Sequence, residues 1–328
     1  MQVNREFQMS HRMLFGLTAV LGLAMILPQR SVDAATRQFI AADSSRHRIA
    51  IIDEDGSTAW EHSIGPLHDL QRLANGNLLF QDSWTHVVEM EPRGKKVVWQ
   101  YDAKSSPGNE KLRIEIHAFQ RLADGNTMIA ESGRGRIIEV DSHGKIVKEI
   151  KLHINKPHPH RDTRLARKID NGHYLVCHEG DGTVREYDAS GTVLWEYEVP
   201  LFGHEPRDGH GVEAFGNQCF SALRLANGNT LISTGNGHSV IEVTPKHEIV
   251  WSLHQNDLPG IQLAWVTTLQ VLPSGNIVIG NCHAGPDNPQ LIEVSRDKKV
   301  EWKFQDFERF GNSLTNSQVL SIDGEAIN

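Results

Sequence analysis

His68 and His117 hold matching places in two closely similar phrases, HDLQRLANGNLL (68–79) and HAFQRLADGNTMI (117–129). Each histidine stands eight residues before a turn glycine, Gly76 or Gly125. Imidazole titrates near neutral pH, so such a residue suits proton transfer, attack as a neutral nucleophile, or metal ligation. The equivalent place in later units carries Arg164, Phe220, Thr267 and Asn316. Two imidazoles and one guanidinium on a common ring would form an anion site. More histidines crowd the segments between units. His158 and His160 lie in KLHINKPHPHRDTR (151–164), His204 and His210 in a Gly-rich stretch (199–220), and His178 and His283 after other strands.

What positions these residues is a repeat. Aligned on the turn glycine, the units carry LANGNLLF, LADGNTMI, IDNGHYLV, LANGNTLI and LPSGNIVI, at Gly76, Gly125, Gly172, Gly228 and Gly275. The spacings are 49, 47, 56 and 47 residues. Each unit holds four short β-type runs, and its Asn-Gly, Asp-Gly or Ser-Gly pair suits a tight hairpin turn. Four strands per unit repeated at this period predict an all-β propeller. Five units are complete. QFIAA (38–42), RIAIIDEDG (48–56) and STAWEHS (57–63) supply strands B, C and D of another, and SQVLSIDG (317–324) supplies its strand A. The prediction is therefore six blades, closed by a C-terminal strand on N-terminal partners, which removes exposed sheet edges. Trp60, Trp99, Trp195, Trp251 and Trp302 recur on strand D, with Lys148 in the remaining blade, and are expected to pack between blades.

In a propeller the D–A and B–C connections emerge on one face, around the mouth of the central channel. Sorted this way, 14 of the 17 histidines after His11 fall on that face. Long loops do collect polar residues, but Lys and Glu are not concentrated in the same way.

Composition narrows the partners. The chain has 328 residues, a formal charge of −8 and no strongly basic run, which argues against nucleic acid. Arg5 and Arg12, the apolar run Met13–Leu27 and Val32-Asp33-Ala34 read as a signal peptide over 1–34, leaving one propeller domain over 35–328. The mature chain is then expected to be periplasmic or secreted, with no membrane attachment. Cys177, Cys219 and Cys282 leave at least one thiol unpaired, and a Cys177–Cys219 bridge between consecutive repeats is possible.

HDLQRLANGNLL, HAFQRLADGNTMI and RLANGNTLISTGNGHSVIEVTPKHEIVW (224–251) resemble the repeats of bacterial arylsulfotransferases over nearly the whole mature chain. The resemblance implies an exported six-bladed propeller, without metal or other cofactor, that passes a sulfuryl group between phenolic compounds through a channel histidine. It puts His68, His117 and His160 in the catalytic places. Arg134 and Arg164 are the candidates for the family's sulfuryl-holding arginine. The family's His-x-Asn is His117-Ala118-Phe119 here. Around that centre His178, His210, Thr267, His283 and Asn316 are expected to touch a small aromatic or sulfate-ester ligand.

Other readings stay open. DASGTVLW (188–195) is similar to quinoprotein dehydrogenase repeats, which would imply a quinone- or metal-dependent oxidoreductase. A propeller that binds a ligand or protein on its His-rich face without chemistry is another, because fold alone implies no activity. Transition-metal ligation by His158, His160, His178, His204, His210 and His283 is a third.

Overall fold

In the computed structural model, which describes residues 35–327, each repeat unit forms an antiparallel sheet, and six sheets make up the propeller. The expected signal peptide (1–34) lies outside the described residues. Blade 1 opens with β1 (Arg37–Asp43), β2 (Arg48–Ile52) and β3 (Thr58–Ser63). Blade 2 is β4 (Leu70–Arg72), β5 (Leu78–Gln81), β6 (His86–Glu91) and β7 (Lys96–Asp102). Blade 3 is β8 (Glu115–Arg121), β9 (Thr127–Ser132), β10 (Arg136–Val140) and β11 (Ile146–Lys151). Blade 4 is β12 (Ala166–Lys168), β13 (Tyr174–His178), β14 (Thr183–Tyr187) and β15 (Val193–Glu198). Blade 5 is β16 (Ser221–Arg224), β17 (Thr230–Ser233), β18 (Val240–Val243) and β19 (Ile249–Leu253). Blade 6 is β20 (Trp265–Val271), β21 (Ile277–Cys282), β22 (Leu291–Val294) and β23 (Val300–Phe304). Then β24 (Leu314–Ile322) pairs antiparallel with β1, from Arg37↔Ile322 to Asp43↔Leu314, and completes blade 1. The two-residue β25 (Glu325–Ala326) adds to its edge.

The middle strands are apolar on both faces because each is sandwiched between two other blades. Ile40, Ala42, Ile49 and Ile51 pack against Leu70, Leu78, Phe80 and Val88 of blade 2. Their alternates Phe39, Ala41, Ala50 and Ile52 pack against Leu272, Val278 and Leu291 of blade 6. Equivalent clusters fill every other blade junction, so the core is a ring of six interfaces. Each fully buried Leu or Ile contributes about 1.5–3 kcal/mol. The outermost strands instead alternate exposed and half-buried residues, as β3 does.

The strand-D tryptophans lie at the blade junctions. Trp60 donates its indole N–H to the Pro92 carbonyl at 2.8 Å, and Trp251 donates to that of Arg296 at 2.8 Å, each in the next blade. Where blade 3 has Lys148, its ammonium lies 5.3 Å from the Tyr174 ring centroid. The acid that recurs in strand C ties turn to neighbour. Glu89 accepts from the Asn77 amide at 2.6 Å and pairs with Arg121 of blade 3 at 2.7 Å. Glu139 pairs with Lys168 and Glu293 with Arg37, each at 2.7 Å. Gly76, at φ +85°, lets the Asn-Gly turn present its asparagines to that acid.

Innermost strands carry bulges. The β8–β9 register shifts between Ile116 and Ala118, which leaves His117 outside the ladder. A shift in β20–β21 leaves Thr267 and Thr268 outside it, and one in β24–β1 leaves Thr315 outside it. A bulge re-aims a side chain that the regular pleat would hide.

Candidate functional site

On the His-rich face the channel opens into a cavity of about 210 Å³ lined by His68, Trp84, His160, Arg164, His210, Phe220, Trp265, Thr267 and His283, among others. His68, Arg164, Phe220 and Thr267 come from the aligned ring of strand-A positions, and His117 packs directly behind His68.

The central feature is a chain of three side chains. His68 Nδ1 and His117 Nδ1 lie 2.7 Å apart, so one imidazole donates a proton and the other accepts it. His117 Nε2 faces Glu115 Oε2 at 3.4 Å and has no hydrogen-bond partner of its own. Glu115 also accepts from His160 Nδ1 at 2.5 Å, and from Arg113 at 2.5 and 2.9 Å. With Glu115 ionised, the favoured tautomer places a proton on His117 Nε2. His117 Nδ1 then accepts from His68 Nδ1–H, and His68 Nε2 carries a lone pair. Among the described residues His68 Nε2 makes no hydrogen bond.

Electrostatics agree. Burial, with Arg164 and two other imidazoles nearby, holds the His68 pKa well below its ordinary value. Burial takes His117 down to about 3 despite Glu115, and His283 down to about 4. Burial would raise Glu115, but the neighbouring His117 and His160 imidazoles overcome that and hold it well below the carboxylate range. The buried imidazoles are thus neutral at pH 7, with nitrogen lone pairs to offer.

The support beneath His68 spans the ring. Its backbone N–H donates to Gln81 Oε1 at 2.9 Å, and its carbonyl accepts from Asn316 Nδ2 at 2.9 Å. The adjacent Asp69 is wholly buried. It accepts from Phe119 N at 3.1 Å and from Arg167 at 2.7 and 2.8 Å. One carboxylate thereby joins blades 2, 3 and 4, and Asn316 brings in blade 1.

Not every expected residue reaches the cavity. Arg134 is exposed and donates to the Gly108 carbonyl at 2.8 Å, away from the channel. Arg164 holds the arginine place instead. It is buried and paired with Glu179, and its Nη2 has no partner among the described residues. Asn316 turns beneath His68, and the bulge puts Thr315 on the cavity in its stead. His178 is a satisfied core residue, with Nδ1 on the Asp162 carbonyl at 2.7 Å and Nε2 on the Tyr187 hydroxyl at 2.8 Å. His210 does line the cavity, stacked on Trp265 at 4.8 Å and 5.1 Å from His283. Of the six histidines weighed as metal ligands, His160 alone enters the one candidate cluster among the described residues, and its companions are Glu115 and His117. Cys177, Cys219 and Cys282 are all buried free thiols, so the possible Cys177–Cys219 bridge is not formed.

Glu115, Trp84 and Trp265 carry weight that sequence reading missed. Glu115 lies two residues before His117 on one strand, the spacing that places side chains on one face. Trp84 and Trp265 are the two tryptophans that break the strand-D rule.

His178 gives a pH prediction. Burial pushes it down to about 3 in the fold. The unfolded chain therefore takes up this proton first as pH falls through about 6.5. Stability from this group is complete above that value and drains toward pH 3. At about pH 5.5 the loss is on the order of 1 kcal/mol. His178→Gln, which cannot charge, should show that much less loss between neutral pH and pH 5.5 in urea unfolding.

The model of the propeller family described as outer membrane protein assembly factor BamB matches residues 45–306. The chain belongs to this family. That agrees with the quinoprotein-type repeat seen at 188–195. No curated protein matches the chain. Among solved structures it is similar to a Bacteroides caccae protein of unknown function, with 24% identity, 85% of this chain and 97% of that chain covered, and a TM-score of 0.70. It is also similar to virginiamycin B lyase from Staphylococcus aureus bound to quinupristin, at 11% identity, 84% and 86% coverage, and a TM-score of 0.53. The WD40 propeller domain of Doa1 aligns at 14% identity over 84% and 77%, with a TM-score of 0.54. Identities this low show the fold alone.

Proposed function

We propose that this family member is an exported transferase that moves a sulfuryl group between phenolic compounds, with His68 as nucleophile. The observation that carries it is the Glu115–His117–His68 chain ending on a free nitrogen at the cavity. His68 Nε2 attacks sulfur of an aryl sulfate, the N–S bond forms and the S–O bond to the aryl group breaks. Positive charge arising on His68 is relieved by its Nδ1–H donating to His117, and Glu115 offsets it in turn. The phenolate leaves through the mouth and takes a proton from water. An acceptor phenol then attacks sulfur, breaks the N–S bond and gives its proton to water, restoring neutral His68. In this reading Arg164 Nη2 and His160 hold the sulfuryl oxygens and Trp84 and Trp265 face the aryl ring, all four residues lining the cavity. Fixed donors around an anion reproduce the electrostatic part of catalysis on phosphoryl-type groups.

The test is release of nitrophenol from nitrophenyl sulfate by the mature chain, with and without phenol. Phenol-dependent release that survives a chelator is the expected result, and no release under any condition overturns the reading. A second reading, a protein-binding scaffold, is favoured by the family's description as an assembly factor. Both readings suit export directed by residues 1–34. Among the described residues no helix is long and apolar enough to cross a membrane.

A further inference from the structure

Glu115 Oε2, His117 Nε2 and His160 Nδ1 converge. One ligand atom from each lies within 4.8 Å of the others, with Glu115 Oε2 at 2.5 Å from His160 Nδ1 and 3.4 Å from His117 Nε2. His117 Nε2 is wholly buried, aimed at this point, and has no hydrogen-bond partner. A buried polar atom left without a partner is costly, and most find one. The outer groups are those that metal ligands use. Arg113 holds the other carboxylate oxygen of Glu115 at 2.5 Å, and His68 holds the far nitrogen of His117 at 2.7 Å. Partners of this kind fix ligand orientation and tautomer. Two imidazoles and one carboxylate, with His160 bordering the cavity, suit a four-coordinate divalent ion such as zinc or cobalt with one open position.

We propose that Glu115, His117 and His160 form a site for a divalent transition metal, and that filling it switches off His68 as a nucleophile. The second half rests on the transferase reading. Coordination by His117 Nε2 expels the proton held there to solvent and leaves the proton shared by the two Nδ1 atoms on His117. His117 then donates to His68 Nδ1, and His68 Nε2 takes a proton from solvent. The nitrogen that faced the substrate becomes a donor instead of a lone pair. This departs from the metal-free channel that the sequence resemblance implies, and it makes metal loading and sulfuryl transfer mutually exclusive states of one hydrogen-bonded chain.

Cobalt(II) titrated into the chelator-treated mature chain should give the visible absorption of a four-coordinate site at stoichiometric metal, and zinc should displace it. His160→Ala, in a half-exposed loop, should weaken binding at least about 100-fold while keeping the thermal midpoint. Glu115→Gln should weaken binding as well, and His283→Ala, outside the cluster, should bind as wild type. Absence of binding, or binding indifferent to both ligand variants, overturns the site. In parallel, nitrophenyl sulfate turnover should fall as zinc fills the site and return with chelator. Turnover that is unchanged or raised by bound zinc overturns the exclusion while the site stands. A chain that binds cobalt but never transfers sulfuryl sinks the transferase reading and the exclusion with it, and again leaves the site standing.

Discussion

His68→Ala should abolish phenol-dependent release from an aryl sulfate, with a loss of about 10³-fold or more in kcat, because no neighbouring atom can replace the attacking nitrogen. His117 lies 2.7 Å away, but its Nδ1 faces His68 and its Nε2 faces Glu115, so it is not presented to substrate. The fold should survive the change, since His68 lines an opening and its anchoring bonds are made by its backbone. His117→Gln separates support from attack. It replaces an imidazole that can take up charge and pass it toward Glu115 by a neutral amide, and should cost about 10²-fold in kcat with KM little changed. Steady-state kinetics on the two variants, with circular dichroism as the folding control, checks both. Wild-type turnover in His68→Ala would falsify the assignment of the nucleophile.

Asp69→Ala should be among the most damaging single changes to stability. Burial raises the pKa of this carboxyl even though Arg167 opposes the shift, so the buried charge is itself costly. Removing it is costlier still. The Arg167 guanidinium and the Phe119 and Leu70 amides lose their acceptor inside the channel. Breaking a buried pair from one side costs about 3–5 kcal/mol. For a domain of this size that lowers Tm by roughly 5–8 °C. Asp69→Asn keeps one acceptor oxygen and should lose less. Thermal unfolding measures both, and an Asp69→Ala midpoint within a degree or two of wild type would show that the other bonds hold the blades together unaided. Activity should fall in step with stability, because Asp69 is bonded to the residues that fix the His68 backbone.

Much of the architecture was legible in the chain because propeller units repeat their local physics. The turn pairs, the doubly apolar middle strands and the strand-D tryptophans each have a local cause, and each recurs at a fixed place. Ring closure followed from simple counting, since the N-terminal strands lacked a strand A and the C-terminal segment supplied one. The site was legible in outline for the same reason. Residues at one register position must meet at the axis, which is how His68, His117, Arg164 and Thr267 could be grouped. The register failed where bulges shift the innermost strands, so Thr315 and not Asn316 reaches the cavity. Loops were less legible. His160 arrives beside His117, with ring centroids 5.1 Å apart, from a segment whose spacing matches no other unit. Arg134, two residues past the end of β9, turns outward to bind a backbone carbonyl.

The sequence by itself determined a six-bladed ring, its closure and the face on which histidines gather, because these depend on period-two alternation, turn chemistry and repeat length. The tertiary structure alone decided which histidines cooperate. Sequence cannot say that His178 spends both nitrogens on core partners while His68 keeps one free, since the partners come from loops and strands distant in the chain. Nor does it reveal that Glu115 faces two imidazoles at once. Hydrogen-bond chemistry acts over about 3 Å, and only the closed ring brings those atoms that near.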